Sequence, residues 1–271
     1  MKIEENLTSE IMCRTSRRKF TEEEITIEEE VKIVEILDRI NEVRGLSFKA
    51  VVNYGGEIFN GFHSYGLIRG CNSYIALVGE TKEKKIEEKI GYYGEYLVLK
   101  LVQMGFGTCW IGATYDHKEI TEEISLDYGE KIYCLIAFGK LESEEKDGIE
   151  KLISVISRKR KRIIDLFPNI EKIEEDEKDW IIKGLEFVQR APSARNKQPW
   201  FFDKNKNNIT INIKENNGYE KIDEGIAMLH FEQGARSANC EGEWRKKNGV
   251  WKFLVGEEDE NTQIWNHRFN K

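Results

Sequence analysis

The spacing of apolar and polar residues predicts two long helices in the first half of the chain. Residues 26–45 have apolar positions at helical spacing, a potential capping box between Thr26 and Glu29 at the start, and Gly45 at the end. Residues 84–105 form a second helical pattern whose C-terminal half is mostly apolar. We therefore expect that half to be buried.

Strands are predicted where β-branched and aromatic residues run together between turn residues. These runs cover 48–54, 73–80, 131–142, 200–202, 209–215 and 250–257. Two further helices are predicted at 177–191, which Pro192 terminates, and at 219–238. The order helix, strand, strand, helix, strand thus occurs twice along the chain.

The repeated order favours an internal duplication. The helix containing Gly94 and the helix containing Gly225 align so that, counted from each glycine, an apolar residue is fourth and a cysteine is sixteenth. The first predicted helix of each half also ends alike, in RGLS and RAPS. Two helices built on one pattern can match by chance, so the residues favour a diverged duplication without requiring one.

The composition is that of a soluble globular protein, with 39% hydrophobic and 34% charged residues. The chain has no apolar run as long as a membrane span, and its N-terminus lacks the apolar core of a signal peptide. The five cysteines form an odd, widely spaced set without a CxxC pair, and the four histidines are scattered. We therefore expect a cytoplasmic protein with no disulfide, no metal site and no membrane attachment.

Two interpretations of the charge pattern are open. The net charge is −7, yet basic residues are concentrated in two short islands, RTSRRK at 14–19 and RKRKR at 158–162. Such runs are typical of a solvated or nucleic-acid-binding surface. An acidic protein gains little from long-range attraction to nucleic acid, whereas a small basic island suits a phosphate monoester.

The loop APSARNKQPWFF at 191–202 is the stiffest segment, because it holds two of the three prolines in the chain. Taken alone, its position between a predicted helix and a predicted strand favours a rigid connector. A rigid loop also loses less conformational entropy on binding a ligand, so a binding loop is the second interpretation.

Three motifs together resemble the nitroreductase family of FMN-dependent oxidoreductases. They are RTSRRKF at 14–20, GFGTCWIG at 105–112 and the 191–202 loop, and the resemblance extends over about 11–257. Members of that family are usually homodimers with two flavins at the subunit interface. Here the motifs are divided between two halves of one chain, which resembles a fused branch of the family, and one complete set per chain implies one FMN.

The resemblance implies that two basic segments hold the FMN phosphate. The first contributes Arg14, Ser16 and Arg18, which alternate and therefore point to one side of an extended segment. The second contributes Arg158 and Arg160. The match is looser there, because the proline that usually follows this pair is replaced by an arginine.

The resemblance also implies which residues surround the flavin ring. They are Ile111, Gly112, Pro192, Ser193, Ala194 and Asn196. Main-chain amides at the first two positions would face N5 and O4 and stabilise the reduced flavin. Asn196 is suited either to the pyrimidine edge of the ring or to a bond that closes the loop onto its own backbone.

We therefore predict an α+β, three-layer fold with a mainly antiparallel central sheet, in which the halves 1–150 and 151–271 form a pseudo-dimer. The predicted function is an FMN-dependent oxidoreductase that uses NAD(P)H to reduce a nitroaromatic, a quinone or a flavin. No side chain is predicted to be catalytic, since the flavin carries the chemistry. A non-catalytic flavin-binding or sensing protein is the alternative. We expect a monomer that binds small molecules and not nucleic acid.

Overall fold

The chain forms two antiparallel sheets and a set of helices packed around a shared core. The computed structural model describes residues 1–59, 67–115, 117–142, 148, 151, 159–205, 208–214 and 218–255. Mixed helix and antiparallel sheet agree with the α+β prediction. Within these ranges, no helix is both long and apolar enough to span a bilayer.

The strands divide into two four-stranded sheets with the same internal order. The first sheet contains β1 (Lys49–Val51), β2 (Ser73–Glu80), β3 (Gly107–Ile111) and β4 (Glu130–Gly139) in the order β1-β2-β4-β3. The second contains β5 (Trp200–Asn205), β6 (Asn208–Ile213), β7 (Gly242–Lys247) and β8 (Val250–Val255) in the order β5-β6-β8-β7. All the pairings are antiparallel, but the described strands form two sheets where we expected one central sheet.

The helices agree with the sequence pattern where that pattern is long and periodic. They are α1 (Thr8–Cys13), α2 (Ile27–Asn41), α3 (Ile86–Gln103), α4 (His117–Glu123), α5 (Ile163–Leu166), α6 (Glu175–Val188) and α7 (Glu220–Ser237). The capping box predicted at the start of α2 is confirmed, with reciprocal bonds between Thr26 and Glu29. The apolar half of α3 is buried, as predicted.

Helices α3 and α7 form the centre of the molecule. Along the chain, α3 lies between β2 and β3 of the first sheet, and α7 lies between β6 and β7 of the second. One apolar cluster contains Ile90 and Leu97 of α3 together with Ile226 and Phe231 of α7. Residues of both halves of the chain therefore contribute to one core.

The N-terminal segment lies beside strand β3. Residues 107–111, within the GFGTCWIG motif, pair with β4. The other edge of β3 is bridged in parallel by Ser16 to Thr108, and the main-chain N–H of Arg17 donates to the carbonyl of Thr108 at 2.8 Å. An extended backbone puts alternate side chains on opposite sides, so this pairing fixes where Arg14 and Arg18 lie.

Candidate functional site

A cavity of about 1480 Å³ lies between four segments of the chain. It is lined by parts of the N-terminal segment (11–18), the basic segment (159–165), the end of α6 and its exit (183–190), and the 192–198 loop. Sites for small molecules usually measure about 300–1,000 Å³. The cavity therefore has room for more than one small ligand.

The lining of the cavity is strongly basic, with ten basic and two acidic side chains in a protein whose net charge is −7. Both acids pair with a base on the same lining: Asp165 lies 2.9 Å from Arg162, and Glu186 lies 2.9 Å from Lys183. The cavity consequently has a positive potential that favours an anionic ligand.

Arg14 is held at the wall of this cavity by contacts with the protein interior. Its side chain is 5% exposed, and its Nε lies 3.5 Å from Oε1 of the fully buried Glu95. Its Nη2 donates a long hydrogen bond of 3.3 Å to the main-chain carbonyl of Arg190. Among the described residues, Nε has no hydrogen-bond partner. A guanidinium has five N–H donors, so Arg14 retains donors for an anion.

Arg160 joins Arg14 and Arg190 in a cluster of like charge. Its Nη1 donates to the carbonyl of Ala191 at 2.9 Å and to Oδ1 of Asn196 at 3.0 Å. Burial, followed by the charges of Arg14 and Arg190, lowers the pKa of Arg160 to about 10. The guanidinium is still protonated at neutral pH, and an anion beside the three charges would relieve their repulsion.

The 192–198 loop has an uncommon backbone conformation. Three of its non-glycine residues have positive φ angles: 51° at Arg195, 54° at Asn196 and 48° at Gln198. Residues with a Cβ seldom adopt this region, and each such residue costs on the order of 1 kcal/mol or more. Clusters of this kind persist where the surroundings hold them in place, and they are common at ligand-binding sites.

Side chains of the loop bind the basic segment. Nδ2 of Asn196 donates to the carbonyl of Lys159 at 2.9 Å, and Nε2 of Gln198 donates to the same carbonyl at 3.0 Å. Oε1 of Gln198 accepts from the main-chain N–H of Lys161 at 3.0 Å. Asn196 thus connects the loop to the basic segment instead of closing the loop onto its own backbone.

Ile111, Gly112 and Ala194 are not part of the cavity lining. A Cβ on Gly112 would lie 2.8 Å from Cζ of Tyr219, the residue immediately before α7. The main-chain N–H of Ala194 donates to Oδ1 of Asp223 in the first turn of α7, at 3.0 Å. Gly112 and Ala194 therefore both flank the same end of α7.

The cavity brings together seven of the residues that the sequence predicted for the site. They are Arg14, Ser16, Arg18, Arg160, Pro192, Ser193 and Asn196. Arg158 lies outside the described residues, so its predicted role stays a prediction. The N-terminal segment and the loop thus meet at one cavity, although they are separated by about two-thirds of the chain.

Sequence reasoning missed Glu95 and Gln198. Glu95 lies in the apolar half of a long helix, where the pattern predicts burial. A charged side chain is seldom fully buried without a partner, so this position was the available signal for a buried, partnered glutamate. Gln198 lies within the 191–202 loop, but its contacts with the basic segment depend on the tertiary fold and could not be predicted from the loop sequence.

The cysteines that end the repeated helix pattern are buried: Cys109 is in β3 and Cys240 follows α7. Burial raises the pKa of Cys240 to about 12, so its thiol is protonated at neutral pH. No cysteine is among the described residues that line the cavity.

The fold resembles that of solved nitroreductase structures. A Thermotoga maritima protein described as a "putative nitroreductase" is 23% identical, with a TM-score of 0.61 over 95% of this chain and 97% of that one. An FMN-dependent nitroreductase from Clostridium difficile is 21% identical over 51% of this chain and 90% of that one, with a TM-score of 0.41. A protein from Desulfovibrio desulfuricans, described as a "putative nitroreductase in complex with FMN", is 17% identical over 54% and 92%, with a TM-score of 0.42.

No curated protein sequence matches the chain. Residues 6–235 match the model of a family described as "Putative TM nitroreductase". That match includes the N-terminal segment, the basic segment and the 192–198 loop, and it extends over most of the chain. The chain therefore belongs to this nitroreductase family.

Proposed function

We propose that the protein is an FMN-dependent oxidoreductase that takes electrons from NAD(P)H and reduces a small organic acceptor. Membership of a nitroreductase family supports the reaction class. The observation that carries the proposal is the cavity in which Arg14, Arg18 and Arg160 meet the strained 192–198 loop. Nitroaromatics, quinones and flavins are the proposed acceptors.

The residues present fit the phosphate of FMN. Arg14, Arg18 and Arg160 supply charged N–H donors, and Ser16 supplies a hydroxyl, which is the donor set that phosphate oxygens require. Nη2 of Arg14 donates a long hydrogen bond of 3.3 Å to the carbonyl of Arg190, and repulsion within the arginine cluster favours an anion beside it. In this proposal the phosphate binds at the N-terminal and basic segments.

The loop and the end of β3 are proposed to hold the flavin ring. Bound FMN would accept a hydride and pass the electrons on. Pro192 and Ser193 would form a rigid wall beside the ring, held by the bonds of Asn196 to the basic segment. Main-chain amides at Ile111 and Gly112 would lie on the other side of it, near the start of α7.

We further propose that the halves 1–150 and 151–271 form a pseudo-dimer with one FMN per chain. The identical strand order in the two sheets supports this proposal, as does the central crossing of α3 and α7. A monomer is then sufficient for activity, because both walls of the cavity come from one chain. We also propose a cytoplasmic location, because none of the five cysteines forms a disulfide.

A flavin-binding protein without turnover is the second candidate. The ring of Tyr219 lies against Gly112, where a substrate would need access to the flavin. Addition of NADH or NADPH to the yellow protein separates the two candidates. Rapid bleaching followed by reoxidation on addition of an acceptor supports the enzyme, whereas a spectrum that does not change supports the binding protein.

The decisive experiment is the absorbance spectrum of the purified protein, combined with released flavin per chain and the mass in solution. We expect a flavin spectrum, one FMN per chain and a monomer. Two flavins per chain would contradict the pseudo-dimer. A protein that stays colourless after incubation with excess FMN, and binds oligonucleotides in a salt-dependent way, would overturn the proposed function.

A further inference from the structure

The buried carboxylate of Glu95 connects three separate parts of the fold. Glu95 lies on α3, and its side chain is fully shielded from solvent. Oε2 accepts from Nε1 of Trp110 in β3 at 2.8 Å. Oε1 lies 2.9 Å from Nε2 of His230 on α7 and 3.5 Å from Nε of Arg14.

The hydrogen-bond geometry leaves no free oxygen on Glu95. Nδ1 of His230 lies 3.1 Å from the carbonyl of Phe187, and a carbonyl can only accept, so Nδ1 carries a proton. His230 is thereby fixed between α6 and α3, and it presents Glu95 to Arg14.

We propose that Glu95 is a positioning residue for the anion site: it holds the guanidinium of Arg14 at the cavity wall, where that group binds the phosphate of FMN. This inference rests on the proposed FMN function. Arg14 is close enough to Arg160 for the two charges to repel each other. Without the carboxylate, repulsion and burial would both favour displacement of the Arg14 side chain.

A second buried carboxylate provides a matched control. Glu232 lies on α7 and is also shielded from solvent. It accepts from the hydroxyl of Tyr92 on α3 at 2.6 Å and from the main-chain N–H of Ile3 at 2.8 Å. It joins the same two helices as Glu95, but Tyr92 and Ile3 do not line the cavity, whereas Arg14, the partner of Glu95, does.

The test compares Glu95→Gln with Glu232→Gln in titrations with FMN and with riboflavin, which lacks the phosphate. We expect Glu95→Gln to weaken FMN at least about tenfold, in the range of a hydrogen bond to a charged group, while riboflavin affinity changes less than about twofold. We expect Glu232→Gln to leave the ratio of the two affinities unchanged. In an Arg14→Ala background, Glu95→Gln should have no further effect on that ratio.

Equal weakening of FMN and riboflavin by Glu95→Gln, or an unchanged FMN affinity, would overturn the inference. If Glu95→Gln does not fold, Glu95→Asp keeps the charge but withdraws it from Arg14, and the same loss of FMN preference is expected. A wild-type protein that prefers FMN, with no change in this preference in the Glu95 variants, contradicts only the role of Glu95. A wild-type protein that does not distinguish FMN from riboflavin contradicts the proposed phosphate site as well.

Discussion

Gly91 and Gly225 occupy equivalent points on two helices that cross in close backbone contact. Each is the sixth residue of its helix, Ile86–Gln103 or Glu220–Ser237. A Cβ on Gly91 would lie 1.9 Å from the carbonyl oxygen of Ile222, and a Cβ on Gly225 would lie 2.0 Å from that of Glu88. Gly91 thus faces Ile222, which is three residues before Gly225, and Gly225 faces Glu88, which is three residues before Gly91. A two-fold relation between the halves would produce such reciprocal contacts.

This crossing predicts a large stability cost for a single methyl group at either glycine. Gly91→Ala and Gly225→Ala should each lower the free energy of unfolding by about 1–3 kcal/mol, since the added Cβ meets backbone that cannot turn away. Urea denaturation measures the change. Gly148→Ala is the control, because a Cβ there would meet no atom within 4 Å in the described part of the chain, apart from its own helix and chain neighbours. Equal stability of all three variants would contradict the close crossing.

The charge cluster predicts a phosphate-specific effect. Arg18→Ala should weaken FMN by about 1.5–3 kcal/mol and leave riboflavin almost unchanged, because it removes a charge-assisted bond that only the phosphate accepts. Arg160→Ala should do the same and also lower stability, since Arg160 binds Ala191 and Asn196. Fluorescence titration with both ligands measures the difference. Arg44→Ala, at a side chain that is 85% exposed, is the control. Equal loss of both ligands would place Arg18 away from the phosphate.

Local patterns predicted the elements whose determinants lie within a few residues. The start of α2 depends on Thr26 and Glu29, which are three positions apart, and its capping box could be predicted from them. Strand β2 was predicted at 73–80 and is found there, because it is buried along almost its whole length. Alternation along 14–18 predicted that Arg14 and Arg18 point to one side, and both line the cavity.

Features that depend on distant partners could not be predicted in this way. Strand β3 is rich in small residues and becomes a strand only by pairing with β4 and the N-terminal segment. The sequence aligned Gly94 with Gly225, but Gly91 is the residue that makes the equivalent contact, and Gly94 faces Trp110 instead. The contact between Glu95 and His230 joins residues 135 positions apart, which no local pattern reports.

A buried glutamate at the helix crossing predicts a dependence of stability on pH. Burial, followed by the charge of Glu88, raises the pKa of Glu224 from 4.5 to about 8, while Lys246 and Lys221 act in the opposite direction. The folded state therefore binds this proton more tightly than the unfolded state. The resulting stability is fully present below the unfolded pKa of 4.5 and is lost as pH rises through about 8.

Glu224→Gln should remove that loss. At about pH 9 we expect the free energy of unfolding to rise by at least about 1.4 kcal/mol, the equivalent of one pKa unit, with little change at about pH 4. Urea denaturation across this range measures the slope. Glu186→Gln, at an exposed glutamate, should keep the wild-type slope. A Glu224→Gln protein with the wild-type slope would show that Glu224 does not titrate in this range.

Asn196 tests whether the strained loop is closed by its own side chain. Asn196→Gly keeps the backbone conformation but removes the side-chain bonds to Lys159, Arg160 and Gln198. The two shorter bonds, to Lys159 and Arg160, should each take about 0.5–1.5 kcal/mol from the stability of the flavin-free protein when they are lost. Asn196→Ala should lose about 1 kcal/mol more, because alanine must also adopt the positive φ of 54°.

Thermal and urea denaturation of the flavin-free variants measure both differences, and flavin titration should show FMN and riboflavin weakened together as the loop loosens. If flavin-free stability is unchanged while flavin affinity falls, the side chain binds the ligand directly and the loop is closed by other contacts.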